Sequence, residues 1–278
     1  MGGPGEYVRG TGHLMLPRAA LNAWAQQVPW PNDVDVEQDL ILSRAIVDIA
    51  NHPLLGEELA FRGGTSLHKL YIEQPWRYSN DLDYVRTTKG PVKEIMAAVR
   101  ETMQAIGLEE AKYEVKDDIV NMRFDAEPTR GLGGLRVKVE INTREIEPCF
   151  ELVALSYTVD NVWFSGRADV LTFPLEELLG TKLRALYQRR KGRDLFDLWL
   201  GLEHLAADPD AVIEAFHHYL ALSGVTIDPA EFERNLDAKL VHGGFRRDLD
   251  QLLREPPPDY TPEVGAAAVR NQILARLR

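Results

Sequence analysis

Two carboxylates one residue apart, Asp81-Leu82-Asp83, follow closely on a Gly63-Gly64-Thr65-Ser66 turn, and this succession limits what the chain can fold into. Leu59-Ala60-Phe61 reads as a short strand stopped by the glycines, residues 65–71 take up a helical pattern, and residues 81–85 read as a second strand. On a strand, side chains alternate between faces, so Asp81 and Asp83 point the same way. Paired carboxylates make a hard oxygen site suited to Mg2+, with Mn2+ as the alternative. Such an ion keeps several waters and fills its shell from one or two carboxylates and substrate phosphates. Gly63 and Gly64 leave room for a phosphate to approach the backbone, and Thr65 and Ser66 offer hydroxyls at a helix N-terminus whose positive end favours an anion. A D-x-D pair alone is common on solvated loops, and a Gly-Gly turn alone is an ordinary turn. Together they would set a triphosphate cradle beside its metal ligands.

The rest of the chain narrows the class. Its 278 residues allow one large domain or two modest ones, and 45% hydrophobic with 27% charged residues is the balance of a soluble globular protein. A single cysteine, Cys149, can form neither an internal disulfide nor a Cys-rich zinc site, which fits the reducing cytoplasm. The Gly-rich start lacks the basic and apolar regions of a signal peptide, and no apolar run reaches the roughly 20 residues of a membrane helix. A net charge of −11 argues against indiscriminate coating of nucleic acid, although Arg184, Arg189, Arg190, Lys191 and Arg193 form a local basic concentration. Five of the seven histidines (His68, His204, His217, His218 and His242), taken as candidate ligands, lack zinc-site spacing.

Apolar residues at helical spacing predict two helices over 17–52, and an amphipathic helix over 92–106. Strands are expected near 110–125 and 135–146, joined by a turn at Gly131-Leu132-Gly133-Gly134. Beyond Phe173 six stretches read as helices: 174–186, 194–205, 211–222, 229–240, 245–253 and 262–277. Pro256-Pro257-Pro258 reads as a stiff link between the last two. The expected organisation is a flexible tail (1–16), an α+β core with N-terminal helices (17–172) and a helical domain (173–278), with the boundary around 165–175.

Phe61-Arg62-Gly63-Gly64-Thr65-Ser66-Leu67 followed by Arg77-Tyr78-Ser79-Asn80-Asp81-Leu82-Asp83 resembles the first motif of the AbiEii/AbiGii-type nucleotidyltransferase toxins. This family has the polymerase-beta-like fold, a mixed sheet flanked by helices, and is similar to the MenT-type toxins. Leu178 to Leu186, with Lys182, and Gly192-Arg193-Asp194-Leu195-Phe196-Asp197-Leu198 resemble its later Lys and Asp motifs. The resemblance spans roughly residues 35–205; Arg62 stands where relatives often carry Lys.

The resemblance implies that Asp81 and Asp83 hold metal and that Lys182 steadies the triphosphate as a point cation. It also implies that Asp197 is a catalytic carboxylate, with Asp194 partnering Arg189 or Arg193; the reverse assignment stays open. Glu140, in an alternating strand, is the candidate third carboxylate that completes the metal site and accepts a proton; its alternative is an edge carboxylate paired with Lys138 or Arg136. Arg62, Gly63, Gly64, Thr65, Ser66, Arg77 and Ser79 complete the expected nucleotide site, Arg77 either touching phosphate or bracing the Asp81 loop. The implied reaction is Mg2+-dependent transfer of a nucleoside monophosphate from an NTP to RNA, with the tRNA 3′ end as acceptor, blocking translation. Arg184 to Arg193 would carry RNA phosphates. As relatives serve bacterial toxin-antitoxin and phage-defence systems, a cognate antitoxin is an implied partner, and no membrane is. Competing readings keep the fold but make the acceptor a protein or a small molecule such as an aminoglycoside, make the transferred group a γ-phosphate, or reduce the pocket to nucleotide binding without turnover.

Overall fold

The computed structural model describes residues 16–30, 32–73, 76–129, 134–253, 255 and 257–277. The expected tail (to residue 15), most of the Gly131–Gly134 turn and Pro256 of the proline link lie outside them. Helices α1 (Arg18–Trp24), α2 (Asp33–Asn51) and α3 (Leu55–Glu58) lead into β1 (Leu59–Arg62). A short helix, α4 (Gly63–Ser66), runs on as a π-helical turn (Leu67–Tyr71) and is followed by β2 (Asp81–Arg86), α5 (Lys93–Ile106), β3 (Glu109–Lys116), β4 (Ile119–Ala126) and β5 (Leu135–Asn142). Next come the hairpin of β6 (Val153–Asp160) and β7 (Ser165–Thr172), then α6 (Leu175–Gln188), α7 (Gly192–Glu203), α8 (Pro209–Leu222), α9 (Pro229–Leu240), α10 (Gly243–Arg246) and α11 (Pro262–Val269) with a final π turn (Arg270–Leu274).

Among the described residues the sheet has seven strands in the order β3-β4-β5-β2-β1-β7-β6. The β2/β5 and β1/β7 neighbours are parallel and the others antiparallel. The expected α+β class, a mixed sheet flanked by helices, is the one found. The β6–β7 hairpin is an addition, since the sequence reading placed no strands between 147 and 172. The 245–253 helix is also replaced: only Gly243–Arg246 is helical, because Asp248 turns to Arg193 and the Leu252 carbonyl accepts from the Tyr78 amide (2.8 Å).

The two faces of the sheet are covered differently. On one, α2 and α5 pack on a core that includes Leu82, Tyr84, Val137, Val139, Met122 and Phe124. On the other, α6 to α8 pack over β1 and β2 through a second core containing Ala60, Val85, Leu179 and Leu183. Leu82 and Tyr84 are buried on the first face, so Asp81 and Asp83 must look out on the second. Burying a Leu contributes roughly 1.5–3 kcal/mol, and a slip of one residue would exchange both apolar side chains for carboxylates. Burial of its neighbours therefore locks the D-x-D orientation. On this second face α6 to α8 stop short of β5, β4 and β3, and the carboxylates stand at the border between covered and bare sheet.

Candidate active site

Asp81 and Asp83 sit on β2 between Glu140, which is in parallel register with Asp83, and Arg62, which is opposite Asp83 on β1. With Lys182, Arg184 and Arg189 of the α6 region they line a cleft of about 250 Å³. The cleft is bipolar. Its sheet side carries three carboxylates with Arg62 and Lys138 at their flanks, and the charged groups of its helix side are all cations.

Too little counter-charge reaches the carboxylates. Burial, then the charges of Glu140 and Asp81, push the Asp83 carboxyl up to about 6, and burial raises Asp81 as well, opposed by Lys138. Glu140 accepts from Lys138 Nζ at 2.7 Å. Among the described residues no three His, Cys, Asp or Glu side chains are grouped so that they could hold a metal ion. The crowding of Asp81 and Asp83 short of positive charge fits a divalent cation such as Mg2+, which takes one or two carboxylates and relies on water and phosphate for its remaining ligands.

On the helix side, Glu145 holds two arginines at once: Arg62 Nη1 at 3.0 Å and Arg184 at 2.7 and 3.1 Å. Burial raises this carboxyl, but the hydrogen bonds and charges of Arg184 and Arg62 outweigh it and hold Glu145 below its usual range. Asn142 Oδ1 accepts from the Arg144 and Glu145 amides and shapes the loop that presents it. Sequence reasoning missed Glu145, because a loop carboxylate with no motif spacing carries no local signal.

Behind the cleft lies a second charged cluster. Asp197 is fully buried and receives Arg77 through two 2.7 Å bonds, Lys182 Nζ at 2.9 Å and His68 Nε2 at 3.1 Å. Burial disfavours its charge, yet Arg77 and Lys182 hold Asp197 well below the usual carboxylate range. Burial and Arg77 lower His68 to about 4, so the ring is neutral and its Nε2–H donates to Asp197. Asp194 forms a bidentate pair with Arg189 (2.7 and 2.8 Å).

The two glycines of the first motif stand against charged side chains. Gly63 has φ +84°, and a Cβ there would collide with Asp83 Oδ2; a Cβ on Gly64 would strike the Arg77 guanidinium. The glycines thus make room for the Asp83 carboxylate and for the arginine behind it. Thr65 and Ser66 are buried, with Thr65 Oγ1 on Ser79 Oγ (2.8 Å) and the Asp81 carbonyl (2.5 Å), and Ser66 Oγ on Thr172 Oγ1 (2.9 Å).

The family model for the nucleotidyl transferase AbiEii toxin, a type IV toxin-antitoxin system, matches residues 44–270. The chain belongs to this family. It is therefore a nucleotidyltransferase toxin by type, and membership implies an NTP substrate and an antitoxin partner. The fold is similar to that of the nucleotidyltransferase toxin MenT4 from Mycobacterium tuberculosis, with TM-score 0.67, 19% identity, and coverage of 95% of this chain and 91% of that one. JHP933 from Helicobacter pylori is also similar, with TM-score 0.53, 16% identity, and coverage of 88% and 91%. No curated protein sequence matches the chain significantly.

For this AbiEii-family chain the structure brings Arg62, Asp81, Asp83, Glu140 and Lys182 of the expected site residues together around one cleft. It sets Arg77, Thr65, Ser66 and Asp197 behind that cleft, buried and bonded within the protein, with Ser79 half-buried beside them. The expectation gave them direct nucleotide or catalytic contact; in the structure their polar groups bond to neighbours within the protein. Of the basic segment, Arg184 and Arg189 line the cleft, whereas Arg193 pairs with Asp248 at 2.9 Å. Among the described residues no helix is long and apolar enough to cross a membrane.

Proposed function

We propose that the protein transfers a nucleoside monophosphate from an Mg2+-bound NTP to the 3′ end of tRNA, which stops aminoacylation and so translation. One observation carries this reading: two under-neutralised carboxylates, Asp81 and Asp83, with Glu140 beside them, face a bank of cations across one small cleft. In it Asp81 and Asp83 hold the metal, with Glu140 beside them. A bound divalent ion would supply charge neutralisation at the transferred phosphoryl group. Arg62, Lys182, Arg184 and Arg189 hold the β- and γ-phosphates and draw the leaving pyrophosphate to the helix side. Glu140, whose bond from Lys138 engages one carboxylate oxygen, accepts the proton of the attacking hydroxyl. Arg77, His68 and Asp197 keep Lys182 in place, and the Thr65 hydroxyl ties α4 to the carbonyl of Asp81.

The test is incubation with total tRNA, Mg2+ and each α-labelled NTP in turn. Label on intact tRNA, lost with Asp81→Ala and moved to the 3′ fragment after nuclease digestion, is the expected result. Label on protein or on a small-molecule acceptor, or label arriving only from the γ position, overturns the tRNA reading.

A further inference from the structure

The part of the sheet left bare by the helices carries a second, larger cleft of about 540 Å³, bounded by Gln38, Asn80, Asp81, Arg123, Arg136 and Lys138. It shares Asp81 and Lys138 with the active-site cleft, so the two spaces meet across a single carboxylate. Strand registers set four side chains in one line: Lys112 of β3 opposite Arg123 of β4, Arg123 opposite Lys138 of β5, and Lys138 opposite Asp81 of β2. Residues in register lie on the same face, and strands are about 4.8 Å apart, so the three cations span about 10 Å of open sheet and end at Asp81. The adjacent line, Glu114, Asn121, Glu140 and Asp83, is acidic.

The cations are not saturated. Lys112 is exposed with no carboxylate partner among the described residues, and Arg123 Nε is buried without a hydrogen-bond partner, its Nη2 lying 3.5 Å from Asp125. Lys138 is the most engaged, through Glu140.

Resting on the RNA-acceptor reading above, we infer that this line is the acceptor track: the last nucleotides of a single-stranded RNA 3′ end cross β3, β4 and β5 over Lys112, Arg123 and Lys138, and deliver the terminal hydroxyl at Asp81. Phosphoryl transfer proceeds with attacking and leaving oxygens in line. Arg62, Lys182, Arg184 and Arg189 occupy the β1 and α6 side of the carboxylates, so the pyrophosphate leaves that way and the hydroxyl arrives from the β5 side, where the sheet is open. The oxygen of that 3′ hydroxyl bonds to the α-phosphorus, the bond to the β-phosphate breaks, pyrophosphate departs with the electron pair, and the hydroxyl proton passes to Glu140. A single row of cations beside an acidic row fits one phosphate backbone and not the two of a duplex.

The experiment measures transfer to tRNA by Lys112→Glu and Arg123→Gln, with Lys89→Glu, an exposed lysine away from the track, as the control for charge alone. The expected result is a KM for RNA raised roughly tenfold in each track variant and a weaker dependence on salt, with the KM for NTP as the internal reference. A photoreactive base near the RNA 3′ end should cross-link to the β3–β4 peptides. An RNA KM equal to that of Lys89→Glu, a parallel rise in the NTP KM, or cross-links confined to the C-terminal helices would overturn the track while leaving RNA as the acceptor. If wild-type protein labels no RNA at all, the functional reading fails first.

Discussion

Two acidic clusters lie one behind the other, and they solve the problem of buried charge in opposite ways. Around Asp197 every carboxylate oxygen is met by Arg77, Lys182 or His68, and the carboxyl is held far below its usual range. Around Asp83 the neighbours are Asp81 and Glu140, and the carboxyl is pushed up to about 6. Paired charge stabilises a fold only by matching the cost of its own desolvation. Unpaired charge of one sign is tolerated where a ligand is to supply the other. On the proposed function the rear cluster is framework, and the front cluster is the reacting surface.

The strongest way to break this contrast is at the front. Asp81→Ala or Asp83→Asn should lower nucleotidyl transfer by on the order of a thousandfold or more, with a thermal midpoint no lower than wild type, because a repelling carboxylate is lost. Millimolar Mg2+ should raise the midpoint of wild type and leave that of Asp83→Asn unmoved, as read by scanning calorimetry. A front-site variant that unfolds would show that the two clusters do not differ as described.

At the rear the effect should fall on stability. Asp197→Ala leaves Arg77 buried without a carboxylate and Lys182 with Asp194 alone, at 3.8 Å, and should cost about 3–5 kcal/mol in urea unfolding. Near-wild-type stability would disprove its framework role.

The pH dependence follows from His68. Its folded pKa, about 4, lies below the unfolded value of 6.5, so the folded state refuses a proton that the unfolded chain accepts. Stability is complete above 6.5 and falls as pH drops toward 4, by up to about 3 kcal/mol. Asp197, with a depressed carboxyl, gives up its own contribution only at still lower pH, below the ordinary carboxylate range. Urea unfolding at pH 7, 5.5 and 4.5 should show the first loss, and His68→Asn should flatten it. The smallest effect is expected between the clusters: Glu145→Gln loosens Arg62 and Arg184 and should shift the KM for NTP about threefold to tenfold, with little change in the melt.

Much of this was legible locally. Alternation in Asp81-Leu82-Asp83-Tyr84 is enough to place both carboxylates on one face, and the spacing of Leu178, Leu179, Leu183 and Leu186 shows which side of α6 is buried. Alternation from Val153 to Asp160 marks a strand, but the partner strand is interrupted by Gly166 and carries Arg167 and Asp169, which hides the β6–β7 hairpin from local pattern. The 245–253 segment looked helical because its apolar spacing is right, while its actual path is set by contacts with Arg193 and Tyr78, both distant in sequence. Membership of the AbiEii family was also readable from the two motifs, and the family match over residues 44–270 agrees.

By itself, then, the sequence determined the α+β class, the strand-turn-helix-strand that carries Asp81 and Asp83, and the presence of a later helix bearing Lys182, since these depend on periodicity and on neighbours along the chain. Only the tertiary structure decided which charges meet. That Asp197 saturates Arg77 and Lys182, that Thr65 and Ser66 turn inward, and that Glu145 gathers two arginines depend on burial and on pairings between residues up to 129 positions apart. Electrostatic energy depends on distance in space and on exposure to water, and neither is written in the spacing of a motif.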